Sequence, residues 1–261
     1  MQDNERTVVI GDPAALGAVS TRRRFLRALG MGGSIVLLPS VFAACEDSTA
    51  SLVSPEVAEQ YESQQAVVLN LNTDVGILNY AYALEQLEAG FYQAVLAAPA
   101  FAGLSAEERE ILTDLRDHEV IHREFLRVAI PNDARIRDLR VDFTAALANR
   151  DAILQAARGF EDLGVAAYNG AGRFLTSPDF LTIAGKIVSV EARHAAAIRD
   201  LLTPNGLAFA TFSTDELRDL GANNAQALDG ALEPRLVLEA VGRTGVLRTN
   251  ITIGTAPVAP A

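Results

Sequence analysis

The chain contains a single cysteine, Cys45, among its 261 residues. One thiol excludes an internal disulfide and leaves no thiolate cluster for zinc or an iron–sulfur centre. Any metal must therefore be held by carboxylates and histidines. Positive charge is scarce as well: 33 Asp and Glu stand against 22 Lys and Arg, for a net charge of −11. That is the wrong sign for gripping a phosphate backbone, so nucleic acid is excluded as an expected partner. A comfortable membrane span is also missing. The uncharged run from Ala28 to Ala44 has 17 residues and carries Gly30, Gly32 and Gly33, whereas a span takes about 20 apolar residues. What is present is 49% apolar content, the level of a globular chain with one buried core.

The first 44 residues read as an export signal. Thr21-Arg22-Arg23-Arg24-Phe25-Leu26-Arg27 precedes the uncharged run, the order of basic region and then apolar region in a secretory signal. The segment resembles the twin-arginine signal S/T-R-R-x-F-L-K, with Arg22 and Arg23 as the pair and Arg27 in place of the final Lys. Such signals serve proteins that fold, often around a cofactor, before crossing the membrane. Phe42-Ala43-Ala44-Cys45 resembles the lipobox of bacterial lipoproteins, with Phe42 where Leu is usual. Two outcomes stay open: Cys45 becomes the acylated first residue, or ordinary cleavage follows Ala43. Residues 45–70 read as a linker, rich in Ser, Glu and Gln as far as Gln65 and without helical period.

Four helices follow. The first is expected from Asp74, as N-cap, to about Ala98 before Pro99, with Leu78, Ala81, Tyr82, Leu84, Tyr92 and Leu96 on its apolar stripe. The second opens at a capping box, Ser105-Ala-Glu-Glu108, and ends near Ala129 because Pro131 cannot continue it. The third runs from near Phe143 to Leu175 with Ile153, Leu154, Ala157, Val165 and Ala171 inward. The fourth has Ser177 as N-cap and Pro178 at the first helical position, and stops at Leu202. Helices of about 23 to 33 residues are about 35 to 50 Å long, the dimensions of an elongated four-helix bundle over residues 71–203. Residues 204–261 form a C-terminal extension with short helices expected at 213–220 and 234–241. The extension is expected to pack on the outside of the bundle or to serve a partner.

Acidic residues interrupt the apolar stripes. In the second helix Glu119 and His122 continue the line of Leu112 and Leu115 toward Leu126. In the fourth, Glu191 and His194 lie between Ile187 and Ile198. Each pair is Glu-x-x-His, and residues three apart share a helix face with Cβ atoms about 5–6 Å apart, close enough to grip one ion together. In the first and third helices the interruptions are Glu85 and Glu161, each followed seven residues later by a tyrosine, Tyr92 and Tyr168. Glu85 precedes Glu119 by 34 residues and Glu161 precedes Glu191 by 30, so the two halves repeat one pattern. Glu88 also lies near the first stripe and is a substitute for Glu85. His118 projects about 100° from Glu119 and reads as a surface or supporting residue, while Asp117, Arg123, Glu124 and Arg193 read as solvated faces.

Four glutamates turned into one apolar core suffer desolvation and mutual repulsion, each worth several kcal/mol. Two divalent cations cancel the four charges, and neutral imidazoles complete the coordination without adding any. Oxygen-rich ligation with a few imidazoles suits iron or manganese better than zinc or calcium.

The set Glu85, Glu119-x-x-His122, Glu161, Glu191-x-x-His194, one part per helix in order, resembles the ferritin-like di-iron carboxylate proteins. Leu78-Asn79-Tyr80-Ala81-Tyr82-Ala83-Leu84-Glu85-Gln86-Leu87-Glu88-Ala89-Gly90-Phe91-Tyr92 resembles the ferritin-like domain of exported and lipidated bacterial proteins. The resemblance implies an all-α, ferritin-like up-down bundle. It further implies that Glu85 and Glu161 each bind one iron, Glu119 and Glu191 bridge both, and His122 and His194 each bind one. Tyr92 and Tyr168 would hydrogen-bond to ligands or carry an electron. The expected chemistry is redox: ferrous oxidation or peroxide removal, with two irons or, in a manganese-catalase-like variant, two manganese ions. Implied partners are O2 or H2O2, metal ions, the twin-arginine export machinery, the membrane through Cys45, and further copies of the chain in a homo-oligomer. The expected location is the periplasmic or cell-envelope side. A second class stays open, in which a metal-loaded or metal-free bundle acts as an envelope interaction or stress-protection module.

Overall fold

A computed structural model describes residues 66–203 and 228–260. Arg22, Arg23, Cys45 and the helix expected at 213–220 lie outside the described residues. The described chain runs β1 (Val67–Asn70), α1 (Asp74–Ala97), α2 (Ala106–Ala129), α3 (Arg150–Gly172), α4 (Pro178–Leu202), α5 (Pro234–Thr244) and β2 (Ile251–Thr255), with short 3-10 turns at Pro99–Gly103 and Thr144–Leu147. None of the described helices is long and apolar enough to cross a membrane.

Capping explains most boundaries. The capping box at α2 closes as expected: Glu108 N donates to Ser105 Oγ at 3.1 Å and Ser105 N to a Glu108 carboxylate oxygen at 2.7 Å. Ser177 caps α4, with Phe180 N at 3.3 Å. At α1 the N-cap is Thr73, whose hydroxyl accepts from Gly76 N at 3.1 Å, and not Asp74. The Asp74 carboxylate instead accepts from the backbone of Thr176 at 2.7 Å and of Ser177 at 2.9 Å. It thereby ties the α3–α4 turn to the start of α1. Helix α3 begins later than its hydrophobic pattern suggests, because Asn149 takes the N-cap by accepting from Ala152 N at 2.9 Å. Phe143, expected inside that helix, is a buried core residue packed edge-on against Phe91 and Phe160, with ring centroids 5.7 and 6.2 Å away.

Helix α1 packs chiefly on α2 and α3 on α4, making two up-down hairpins that face each other through α1 against α3 and α2 against α4. Residues 130–149 carry the chain across between them in one long crossover. Helix α1 is buried nearly all round, from Gly76 to Val95, which marks it as an inner element of the core.

The C-terminal residues return to the bundle. Leu232 N donates to Ala166 O of α3 at 2.9 Å. A Cβ on Gly170 would lie 1.8 Å from Leu232 O, so only glycine permits this approach. Val237, Val241 and Val246 join the main core. Strand β2 pairs in parallel with β1, Val67 opposite Ile251 and Leu69 opposite Ile253. Neither strand is legible in the sequence, since a four- and a five-residue strand give too few alternations to read.

Candidate metal centre

Each helix of the bundle delivers its acidic residue to the same layer of the core. Glu85, Glu119, Glu161 and Glu191 are all 0% exposed, with His122 at 9% and His194 at 3%. Such burial of four carboxylates among apolar side chains demands compensating charge. The helical period puts them there: Glu119 and His122 share one face of α2, and Glu191 and His194 one face of α4, with leucine and isoleucine continuing the same stripes.

Ligand atoms fall into two quartets, each with all its atoms within 4.8 Å of one another. One comprises Glu85, Glu119, His122 and Glu191; the other comprises Glu119, Glu161, Glu191 and His194. Glu119 and Glu191 belong to both, so two positions for an ion lie side by side and share two carboxylates. His122 Nδ1 stands 2.8 Å from Glu191 Oε1 and 3.5 Å from Glu119 Oε2. His194 Nδ1 stands 2.7 Å from Glu119 Oε1 and 3.4 Å from both Glu161 Oε2 and Glu191 Oε2.

These atoms are close without being hydrogen-bonded. Both oxygens of Glu119 and of Glu191, one oxygen each of Glu85 and Glu161, and Nδ1 of both histidines are buried without a hydrogen-bond partner. Orphaned buried polar atoms are rare and costly, and here they converge on common points, the arrangement of a ligand cage. The donor set, carboxylate oxygen plus one imidazole per position, fits iron or manganese.

The two tyrosines cross over. Tyr92 of α1 donates to Glu161 Oε1 of α3 at 2.5 Å, and Tyr168 of α3 donates to Glu85 Oε1 of α1. Each tyrosine lies seven residues beyond the glutamate of its own helix and serves the glutamate of the other, which requires α1 and α3 to run antiparallel. Burial, together with the adjoining carboxylate, pushes both phenols well above their usual range. They therefore remain protonated donors.

Electrostatics without an ion is strained. Burial, reinforced by Glu119 and Glu191, pushes Glu85 up against the lowering effect of His122, and burial lifts Glu161 to about 8 despite His194. Burial opposes ionisation of Glu119 too, but the two histidines outweigh it and hold that carboxyl at about 2. Burial lowers the histidines, yet the surrounding carboxylates win and lift His122 to about 11 and His194 to about 12. Protons thus occupy the role that cations are suited to fill.

A family model for the ferritin-like domain matches residues 73–204, just over half of the chain. The chain belongs to the ferritin-like domain family. A search of curated proteins finds no match. The match spans all four helices of the ferritin-like domain and every residue of both quartets.

Two titratable side chains flank the ferritin-like site. Glu88 is buried at 3% but belongs to neither quartet. A Cβ at Gly164 would lie 2.6 Å from its Oε1, so the glycine of α3 makes room for it. Burial and the four cluster glutamates push Glu88 well above the carboxylate range, consistent with a neutral, protonated side chain. His118 does turn away from the quartets, yet its Nδ1 lies 2.9 Å from His194 Nε2, with the two rings nearly parallel at 12°. Burial and the nearby imidazoles of His194 and His122 lower it, which favours the neutral ring that can accept a hydrogen bond. That contact joins residues 76 apart, beyond the reach of any helical spacing rule.

Proposed function

We propose that the ferritin-like domain holds two iron ions, or two manganese ions in their place, and reacts with O2 or H2O2. The observation that carries this reading is the sharing of Glu119 and Glu191 between two ligand quartets. Two ions held there would supply one electron each, the two that reduction of H2O2 to water requires.

The residues divide the work. Glu119 and Glu191 would hold both ions; Glu85 with His122, and Glu161 with His194, would each complete one position. Four carboxylates then balance two divalent charges in a dry interior, which removes the repulsion that otherwise forces protons onto the cluster. Tyr92 and Tyr168 each occupy one oxygen of an unshared glutamate, fixing its orientation and leaving the second oxygen for an ion. With an ion on His194 Nδ1, its Nε2 must carry the proton and donate to His118, which locks that imidazole in one tautomer.

The same reading has the protein exported by the twin-arginine route through Arg22 and Arg23, and held on the cell-envelope side by a lipid on Cys45. A domain that acquires metal before export suits a route for folded proteins.

The test is anaerobic addition of ferrous iron to the purified protein, followed by a pulse of O2 or H2O2. Near-ultraviolet absorbance should rise and saturate at two irons per chain. Failure to retain iron through gel filtration would remove the redox reading and leave the non-enzymatic envelope module.

A further inference from the structure

One helical turn from the ligands, toward the start of α1, the bundle contains a cavity. Ala81 lies four residues before Glu85, Leu126 four after His122, and Ile187 four before Glu191, each about 6 Å along its helix from the ligand. These three, with the ring of Tyr168 that holds Glu85, surround a cavity of about 20 Å³ lined almost wholly by carbon. Ile183 and Ala184 on its outer side are only half-buried, so the cavity lies close to the surface of the bundle.

The size and chemistry select the occupant. A volume of about 10–15 Å³ admits one water, but a buried water needs two to four polar partners. The Tyr168 hydroxyl is already committed to Glu85, and the rest of the wall is almost wholly hydrocarbon, with the buried, unpartnered hydroxyl of Tyr80 the one other polar side-chain atom among the lining residues. H2O2 would bring two donors and two oxygen acceptors into a place that offers at most the single hydroxyl of Tyr80 to meet them. O2 brings none, and its bulk is that of a small diatomic.

We propose that this cavity is a dioxygen site, which holds O2 one turn from the metal positions and makes O2, rather than H2O2, the favoured oxidant. The proposal rests on the metal-binding reading for its purpose, but the cavity can be read without any metal.

Crystals of the purified chain pressurised with krypton should show a krypton anomalous peak between Ala81, Leu126, Ile187 and Tyr168. Ala184→Phe, which drives a ring into the outer wall, should abolish the peak. In the iron-loaded protein it should lower the ratio of the O2 rate to the H2O2 rate at least tenfold. Ala184→Leu, a smaller filler, should give the same change to a lesser degree and serves if the phenylalanine variant does not fold. Absence of krypton from the wild-type cavity overturns the proposal, and so does an unchanged rate ratio in a variant that has lost the peak. If the protein retains no metal or reacts with neither oxidant, the redox reading fails on its own evidence, while the krypton peak still decides whether the cavity takes an apolar gas.

Discussion

Because Glu119 is common to both quartets and Glu85 to one, their replacement by glutamine should be distinguishable by heat. A ligand that binds only the folded state at 100 times its Kd stabilises by about 2.7 kcal/mol, so two metal positions give about 5.4 kcal/mol. For a domain of 150–250 residues each kcal/mol moves Tm by about 2–4 °C, so saturating Mn²⁺ should raise the wild-type Tm by about 10–20 °C over the chelated protein. Glu85→Gln should keep about half of that rise, and Glu119→Gln essentially none. The metal-free proteins should respond in opposite directions. Glu85 is pushed up by burial, so a neutral amide relieves a desolvated acid and Tm should hold or rise. Glu119 is held down by His122 and His194, so its replacement strands two buried imidazoles and Tm should fall. Differential scanning calorimetry of the wild type and both variants, with and without Mn²⁺, reads all six values. A Glu119→Gln protein with the full metal-dependent rise would refute the shared-ligand argument, as would Glu85→Gln losing both halves together.

Three further outcomes follow from the same geometry. In the metal-free protein His122 and His194 titrate near 11 and 12 and Glu161 near 8, so at pH 7 all three are protonated and must lose those protons to become ligands. Glu85, pushed up by burial, carries a further proton, so metal uptake should release about three to four protons per chain and tighten by about that many powers of ten per pH unit between pH 6 and 7; calorimetry in buffers of differing ionisation enthalpy measures it, and zero release would contradict it. Tyr92→Phe removes the donor to Glu161 and His118→Ala the acceptor of His194; each should weaken metal binding about 10- to 100-fold, with His118→Gln restoring part of the loss, and wild-type affinity in both variants would sink the supporting roles. Mass spectrometry of the mature protein should find Cys45 as an acylated first residue, and Arg22→Lys with Arg23→Lys should stop its export; an unmodified mature chain beginning at Ala44 would point to ordinary cleavage.

The candidate site was legible because a helix has one short period. Glu-x-x-His at 119–122 and 191–194 forces two ligand types onto one face, and charge on an apolar stripe has few cheap explanations. The crossing of Tyr92 to Glu161 and Tyr168 to Glu85 was half visible: the seven-residue offset showed in the sequence, but the exchange of partners depends on the directions of α1 and α3. A supporting place for His118 was one of the two readings its position allowed, but its partner was hidden because His194 lies on another helix, and the cavity was hidden because small residues such as Ala81 and Ala184 do not announce a void. Asp74 misled as an N-cap because Thr73 competes at the adjoining position, and the long-range use of its carboxylate leaves no local mark. The short strands and the approach of Leu232 to Gly170 depend on tertiary pairing alone.

Anomalous diffraction at the iron or manganese edge, from crystals of metal-loaded protein, tests the central claim most directly. Two peaks should lie between Glu119 and Glu191, one beside Glu85 and His122 and the other beside Glu161 and His194. A loaded crystal with no peak among these six residues would contradict it.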